Sequence, residues 1–292
     1  MRTAKLRKAK SEIVKFFKAQ PARVFLRSEL NKILVTHILD WKTGREVTVA
    51  DFIYFLSSED LLKKIELEFP GKTYKRYAME NASVFEIALS LYPRSYLSHY
   101  SAVFIHHLTD QIPKTIYANH EQKLSSVSVG KLEQSRIDMA FRNAQRLSHY
   151  RGIFQDHEIV ALNGKNTNNL GVIELSGPDG ETLQVTNIER TLIDIAVRPV
   201  YVGGVFEVLN AYRLAKDRLS INKLSAVLKQ LAHTYPYHQA IGFYLEKAGV
   251  YSDTQLTMFG KAFPMKFDFY LVHGMKETSF SERWRLHYPK GM

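Results

Sequence analysis

TVADFIYFLSSEDLLKKIELEFPGKTYKRYAM, residues 48–79, carries the pattern that decides the fold of the amino-terminal part of this chain. Thr48 has a side-chain oxygen that can accept an otherwise unpaired amide hydrogen, so it predicts the start of a helix. Phe52, Ile53, Phe55 and Leu56 follow at helical spacing and point inward, which leaves Ala50, Asp51, Tyr54 and Ser57 facing out. Lys63 to Phe69 and Lys72 to Met79 then read as two strands joined by Pro70-Gly71.

Upstream, Ser11 to Ala19 places Ile13, Val14, Phe16 and Phe17 on one helical face, and Pro21 ends that helix. Arg23 to Leu26 reads as a short strand. Ser28 to Thr36 reads as a second helix with Leu30, Ile33 and Leu34 together, followed by a long loop, Ile38 to Val47. Three helices and a ribbon predict a winged helix-turn-helix over residues 1–80, whose third helix enters the major groove while the ribbon follows phosphates or the neighbouring minor groove. The expected DNA contacts are Lys42, Arg45 and Thr48 before the third helix, Ala50, Asp51 and Tyr54 on its outer face, and Lys72, Lys75 and Arg76 on the returning strand. A flexible basic arm with Arg2, Lys5, Arg7, Lys8 and Lys10 is expected to add attraction without reading sequence. The third helix is poor in Arg, Asn and Gln, so shape and backbone contacts are expected to carry more of the specificity than base-edge hydrogen bonds.

Charge distribution agrees with such a partner. Residues 1–80 hold seventeen Lys and Arg against ten Asp and Glu, residues 81–292 twenty-three against nineteen, and the whole chain carries +11. That skew points to a polyanion. With 292 residues and 45% hydrophobic content the chain can bury a sizeable core, and its length suggests two domains. The absence of cysteine excludes a disulfide, a thiolate zinc site and a cysteine nucleophile. No run of eighteen apolar residues occurs, and the basic start is interrupted by Lys15 and Lys18 without a small-residue cleavage site, so a cytoplasmic protein without membrane association is expected.

From residue 81 to 292 strands and helices alternate irregularly, which predicts a larger mixed α+β domain. Two amphipathic helices are interrupted at Pro93, and Ser95 or Ser98 is expected to cap the second. A basic stretch runs from Lys131 to Arg146. Pro178-Asp179-Gly180 joins two strands of a hairpin. Thr186 and Glu189 have the spacing of a capping box, and Arg190 and Asp194, four apart, are expected to pair on an exposed helix face. In the last forty residues Lys266 to Val272 is the clearest strand.

Three segments together resemble one family. The amino-terminal pattern, the block Tyr92-Pro93-Arg94-Ser95-Tyr96-Leu97-Ser98 with Ser101-Ala102, and the block Val185-Thr186-Asn187-Ile188-Glu189-Arg190-Thr191-Leu192-Ile193-Asp194 look like the AbiEi antitoxins of type IV, abortive-infection toxin–antitoxin systems. The resemblance implies a non-enzymatic, cofactor-free transcriptional repressor. Its winged helix would bind double-stranded DNA at inverted repeats in its own promoter. Residues 81–292 would form an antitoxin domain counteracting a nucleotidyltransferase-like toxin, with or without direct contact. The family-typical positions are Ser95, Tyr96, Ser98, Ser101, Glu189, Arg190, Thr191 and Asp194.

Rival readings lead elsewhere. His99, His106, His149 and His157 lack the spacing of a known zinc motif. Asp268 on its strand, with Glu246-Lys247 upstream, suggests a metal-dependent nuclease. The aromatic-rich second domain suggests a ligand-sensing regulator, and the basic charge an architectural DNA-binding protein.

Overall fold

The computed structural model describes residues 2–123 and 131–292, with Arg2 described by its backbone alone. Leu6, Ala9, Ile13 and Phe17 recur every three or four positions, so one buried stripe continues through α1 (Arg2–Lys8) and α2 (Lys10–Ala19). The expected flexible arm is therefore a docked helix: burying Leu6 among Phe17, Phe52 and Phe55 holds it against α4 (Val49–Ser58). Lys5 pairs with Glu46 and Lys10 with Glu59, while Arg7 and Lys8 stay exposed.

Between α2 and α4 lie β1 (Val24–Phe25) and α3 (Arg27–Thr36); after α4 come β2 (Lys63–Phe69) and β3 (Lys72–Ala78). The three strands form an antiparallel sheet in the order β1-β3-β2. Its hairpin turns at Pro70-Gly71, where Gly71 takes φ 73°, a left-handed conformation that a side chain would oppose. Thr48 caps α4 as expected: its hydroxyl accepts from the Asp51 amide at 3.2 Å, and the Asp51 carboxylate accepts from the Thr48 amide at 3.0 Å. The long α3–α4 loop is fixed by Trp41, buried among Phe16, His37 and Phe52.

The hairpin serves two cores. Leu62 and Tyr77, at its base, belong to the core of α1 to α4, whereas Leu67, Phe69 and Tyr74, towards its tip, pack with Phe85, Ile87 and Leu91 of the segment that follows. The Tyr74 hydroxyl donates to Tyr92 at 2.6 Å and lies 3.0 Å from that of Tyr150. No loose linker separates the two parts at residue 80.

That following segment contributes α5 (Val84–Leu89), β4 (Tyr96–Leu97), α6 (His99–Ile105), β5 (Thr115–Glu121), α7 (Gln134–Arg142), β6 (Arg151–Phe154), β7 (His157–Gly164), β8 (Val172–Ser176), β9 (Thr182–Thr186) and α8 (Ile188–Val197). Its strands make one sheet in the order β6-β7-β5-β4-β9-β8, parallel between β5 and β7 and between β4 and β9. Period-two alternation gives the sheet two apolar faces: Ile116, Ala118, Ile159 and Ala161 pack with α5, and Tyr117, Val160 and Leu162 meet Tyr201 on the other side. Helix α8 starts one residue later than expected. Asn187 is its cap and accepts from the Arg190 amide at 2.9 Å, while Thr186 remains the last residue of β9.

The remaining elements are α9 (Val205–Leu214), α10 (Ile221–Leu231), α11 (Tyr237–Ala248), α12 (Asp253–Lys261), β10 (Phe269–Tyr270), β11 (Thr278–Ser281) and β12 (Leu286–Pro289). The last three form a small sheet in the order β10-β12-β11. Only two residues of the expected Lys266 to Val272 strand pair in it, because just Phe269 and Tyr270 find partners on β12. The chain is thus a mixed α+β protein, and among the described residues no helix is long and apolar enough to cross a membrane.

One close approach in this last layer has a testable energy. The Trp284 indole is buried, its N–H donates to Glu246 at 2.7 Å, and a Cβ built on Gly242, one turn earlier in α11, would overlap its ring. Gly242→Ala gains about 1 kcal/mol of helix propensity but must displace a clamped aromatic ring, and such overpacking typically costs about 1–3 kcal/mol. A lower urea midpoint with an unchanged m value is the expected result; a midpoint equal to or above wild type would show that the indole has room to move.

Candidate nucleic-acid interface and buried polar network

The amino-terminal unit leaves one side of α4 uncovered. Ala50, Tyr54 and Ser57 are exposed, with Tyr54 66% accessible, while Asp51 is half-buried and engaged with Thr48. Lys42 and Arg45, on the Trp41-anchored loop, are exposed and have no ion-pair partner among the described residues. This loop and helix therefore expose two cations, a phenol and small side chains. Thr48 is exposed at the helix start, but its hydroxyl is committed to the cap.

The hairpin differs from expectation. Arg76 is only 4% exposed; its guanidinium donates to the Ser90 carbonyl at 2.6 and 3.0 Å, to Leu91 at 3.3 Å and to Lys75 at 2.9 Å. It holds the hairpin to the end of α5 and has no surface to offer a phosphate. Alternation puts the neighbouring Lys75 outside, and Lys72 lies over the Tyr74 ring at 4.3 Å. Glu66 sits directly across from Lys75 and pairs with Lys64 at 2.6 Å, so the outer face of the ribbon is mixed in sign rather than basic. The tip is docked as well: Phe69 packs on Tyr150, and β2 lies along β6. Of the expected arm, Lys5 and Lys10 are neutralised by glutamates, and the side chain of Arg2 lies outside the described residues. Lys42, Arg45, Tyr54, Lys75, Arg7 and Lys8 are the residues of the expected set left exposed with uncommitted polar groups.

The positions singled out in the second part of the chain converge on α8 and its surroundings. Ser95 donates to the Tyr92 carbonyl at 2.9 Å, Ser101 accepts from the Tyr117 amide at 2.8 Å, and Ser98 lies 2.9 Å from His99 Nδ1. Tyr96 accepts from the Asn119 amide and donates to Glu121 at 3.4 Å. Thr191 donates to the Thr186 carbonyl at 3.0 Å, and Glu189 accepts from the Ser220 amide at 3.3 Å. The Arg190–Asp194 pair is buried, not exposed as the spacing alone suggested: Nε meets Oδ1 at 2.7 Å, and a second guanidinium nitrogen donates to the Leu170 carbonyl at 2.9 Å. The i, i+4 rule fixes that two side chains meet but not which face of the helix the core covers. Arg190 and Thr191 tie α8 to the 167–170 loop and to the end of β9, Glu189 ties it to the start of α10, and Ser101 holds α6 to β5, while Ser95 and Ser98 bond close to their own positions beside β4.

His99 stands beside this network with φ 51°, a left-handed conformation uncommon for a residue with a side chain. Its ring is buried against Tyr117 and Tyr201, and burial, helped by the charges of Arg198 and Arg190, lowers its pKa to about 3. Burial, with Arg190 and Lys165, likewise lowers His233 to about 4. Nothing in the sequence signals that these residues share a neighbourhood, because α6, α8 and the loop after α10 meet only in three dimensions.

The rival nuclease residues are separately engaged. Asp268 pairs with Arg285 at 2.7 Å, and Glu246 holds Trp284 and Arg283. Among the described residues no group of three or more His, Asp or Glu is placed to hold a metal.

No family model matches the sequence, and no curated protein matches it. Its fold is similar to the crystal structure of the RV2827C protein from Mycobacterium tuberculosis, with a TM-score of 0.56 and 14% identity over 96% of this chain and 91% of that one. At that identity the likeness concerns the fold alone.

The depressed histidines set an acid dependence. Above pH 6.5 both imidazoles are neutral folded and unfolded, and stability is full; below it the unfolded chain takes up protons that the folded chain refuses. Stability then falls with pH by about 1.4 kcal/mol per unit for each histidine until about 4 for His233 and about 3 for His99. His99→Gln should make the decline between pH 6 and 4 shallower by that amount in urea titrations. An unchanged slope would mean that His99 is already protonated in the fold.

The buried pair gives a second prediction. Asp194→Ala strands the Arg190 charge in the interior, at a cost of about 3–5 kcal/mol, whereas replacing both with apolar residues costs far less. Equal destabilisation by the single and double changes, measured by denaturant unfolding, would refute that account.

Proposed function

We propose that this protein is a DNA-binding transcriptional repressor, its first 80 residues acting as a winged helix-turn-helix, and that it serves as the antitoxin of a type IV toxin–antitoxin pair in the cytoplasm. The observation that carries the DNA half is the uncovered face of α4 beside exposed Lys42 and Arg45, in a helix–strand–helix–helix–hairpin order. A helix preceded by free cations and offering Ala50 and Tyr54 suits a major groove, where small side chains permit close approach and flanking cations bind phosphates. Because the hairpin is docked and mixed in charge, α4 and its loop carry the contact, with Lys75 at the edge. The cognate site would be inverted repeats in the protein's own promoter. The antitoxin half rests on the sequence resemblance and on the internal engagement of the family-typical positions, four of them on α8 and the serines beside β4 and in α6. Their burial supports a scaffolding role in shaping the second part of the molecule rather than direct contact with a nucleotidyltransferase-like toxin.

Lys42→Glu with Arg45→Glu should weaken binding to the promoter and lower the slope of log K against log salt by about 2, since each phosphate contact contributes about 0.9 to that slope. Lys75→Ala should lower it by no more than about 1, and Tyr54→Ala should narrow the gap between cognate and random duplex more than it lowers overall affinity. Fluorescence anisotropy at several salt concentrations reads all three. A slope unaffected by the double reversal excludes this face as the DNA site. Co-expression of the full chain with the adjacent gene, if that gene is toxic and growth is not restored, removes the antitoxin half and leaves the repressor half standing.

A further inference from the structure

Away from α4, the structure holds a cavity of about 750 Å³ between the sheet and the helical layer. Its floor is the β5 and β7 surface at Asn119 and Leu162, one wall is α8 with Arg190, Asp194 and Arg198, and the opposite wall is the segment His233 to Tyr237 between α10 and α11. It opens at the carboxyl ends of the parallel pair β5 and β7, where Asn163 and Lys165 form the rim. The volume is that of a small-molecule site.

The lining has a definite chemistry. Lys123, Arg146, Lys165 and Arg198 border the cavity alongside Arg190, against a single carboxylate, Asp194, which Arg190 already neutralises. Arg146 is exposed, and its guanidinium has no hydrogen-bond or ion-pair partner among the described residues. Aromatic rings stand among these cations: Tyr201 on the sheet side, Tyr235 and Tyr237 on the helical side. His233 adds a buried Nε2 with no hydrogen-bond partner. Lys165 is held by the Leu231 and Ala232 carbonyls, and Arg198 donates to the Arg146 carbonyl and lies over the buried Tyr201 ring, so Arg146 and Lys123 are the cations left open to a phosphate and Tyr235 and Tyr237 the half-buried rings left to a base.

From this juxtaposition of cations and aromatic rings around one cavity, we infer that the second part of the protein binds a nucleotide, its phosphates held by Arg146 and Lys123 and its base lying beside Tyr235 and Tyr237. The site is separate from the α4 face and does not depend on the proposed repressor role. A nucleotide seated between the sheet and α8 would also stabilise the junction where those two layers meet.

Isothermal titration calorimetry on the full chain with ATP, AMP, adenosine and pyrophosphate tests it. ATP should bind in the micromolar range, with adenosine and pyrophosphate each at least about tenfold weaker. Arg146→Glu and Lys123→Glu, both on exposed side chains, should each lower ATP affinity roughly tenfold, with unchanged melting temperature and promoter binding. Lys42→Glu with Arg45→Glu should leave ATP affinity intact. The inference is overturned if ATP fails to bind at millimolar concentration, if pyrophosphate binds as tightly as ATP, if adenosine does so, or if ATP affinity responds to the α4-loop reversals and not to Arg146→Glu.

Discussion

A guanidinium removed from water has to find its hydrogen bonds inside the protein, and Arg190 finds them in Asp194, one turn away on α8, and in the Leu170 carbonyl. Those partners fix where α8 lies relative to the loop after β7. The loop is tied in turn to Glu121: burial alone would push that carboxyl up, but hydrogen bonds from the Thr167 hydroxyl and from the Thr167 and Asn169 amides hold it below its ordinary value. Helix α8 is the hub on which α9, α10 and α11 pack, so the position of the helical layer against the sheet follows from satisfying one buried charge. Such an arrangement gains geometric definition more than net stability, since the desolvation of both ions offsets much of their attraction.

The β2–β3 hairpin imposes the second constraint. Its base belongs to the helical core of the amino-terminal unit and its tip to the core under the six-stranded sheet, with Arg76 and the Tyr74–Tyr92 bond as polar fasteners. The hairpin face that carries Leu67, Tyr74 and Arg76 is taken up by these contacts, which leaves a ligand only the outer face with Glu66 and Lys75. Arg76 is accordingly committed to the main-chain carbonyls of Ser90 and Leu91.

Much of the amino-terminal architecture was legible because it is written in local periodicity. Thr48 and Asp51, the stripe of Phe52, Phe55 and Leu56, and Pro70-Gly71 each act through neighbours within four residues. The basic arm is a docked helix because Leu6 and Ala9, set among its lysines, extend the Ile13–Phe17 stripe by two turns. Arg76 could not be placed from sequence: alternation assigns it a face, but nothing local reveals that α5 covers that face. Thr186 and Asn187 are both good caps, but Thr186 stays in register with Val172 of β8 and its hydroxyl meets that of Thr191, which leaves the cap to Asn187. The AbiEi resemblance pointed to Arg190 and Asp194 without disclosing that they lie inside. The cavity was the least legible feature, since its cations come from segments scattered between Lys123 and Arg198 and meet only when sheet and helices close on one another.

The shared hairpin also bears on how such a chain could diversify. Proteins that read DNA through a terminal module often change specificity by recombination, exchanging that module at a flexible joint. Here a crossover at residue 80 would separate Tyr74 from Tyr92 and Leu67 from Phe85, leaving each parent with a mismatched seam. Under the proposed repressor role, new operator preferences would have to arise by point substitution on the outer surface of α4, where Tyr54 and Ser57 are exposed.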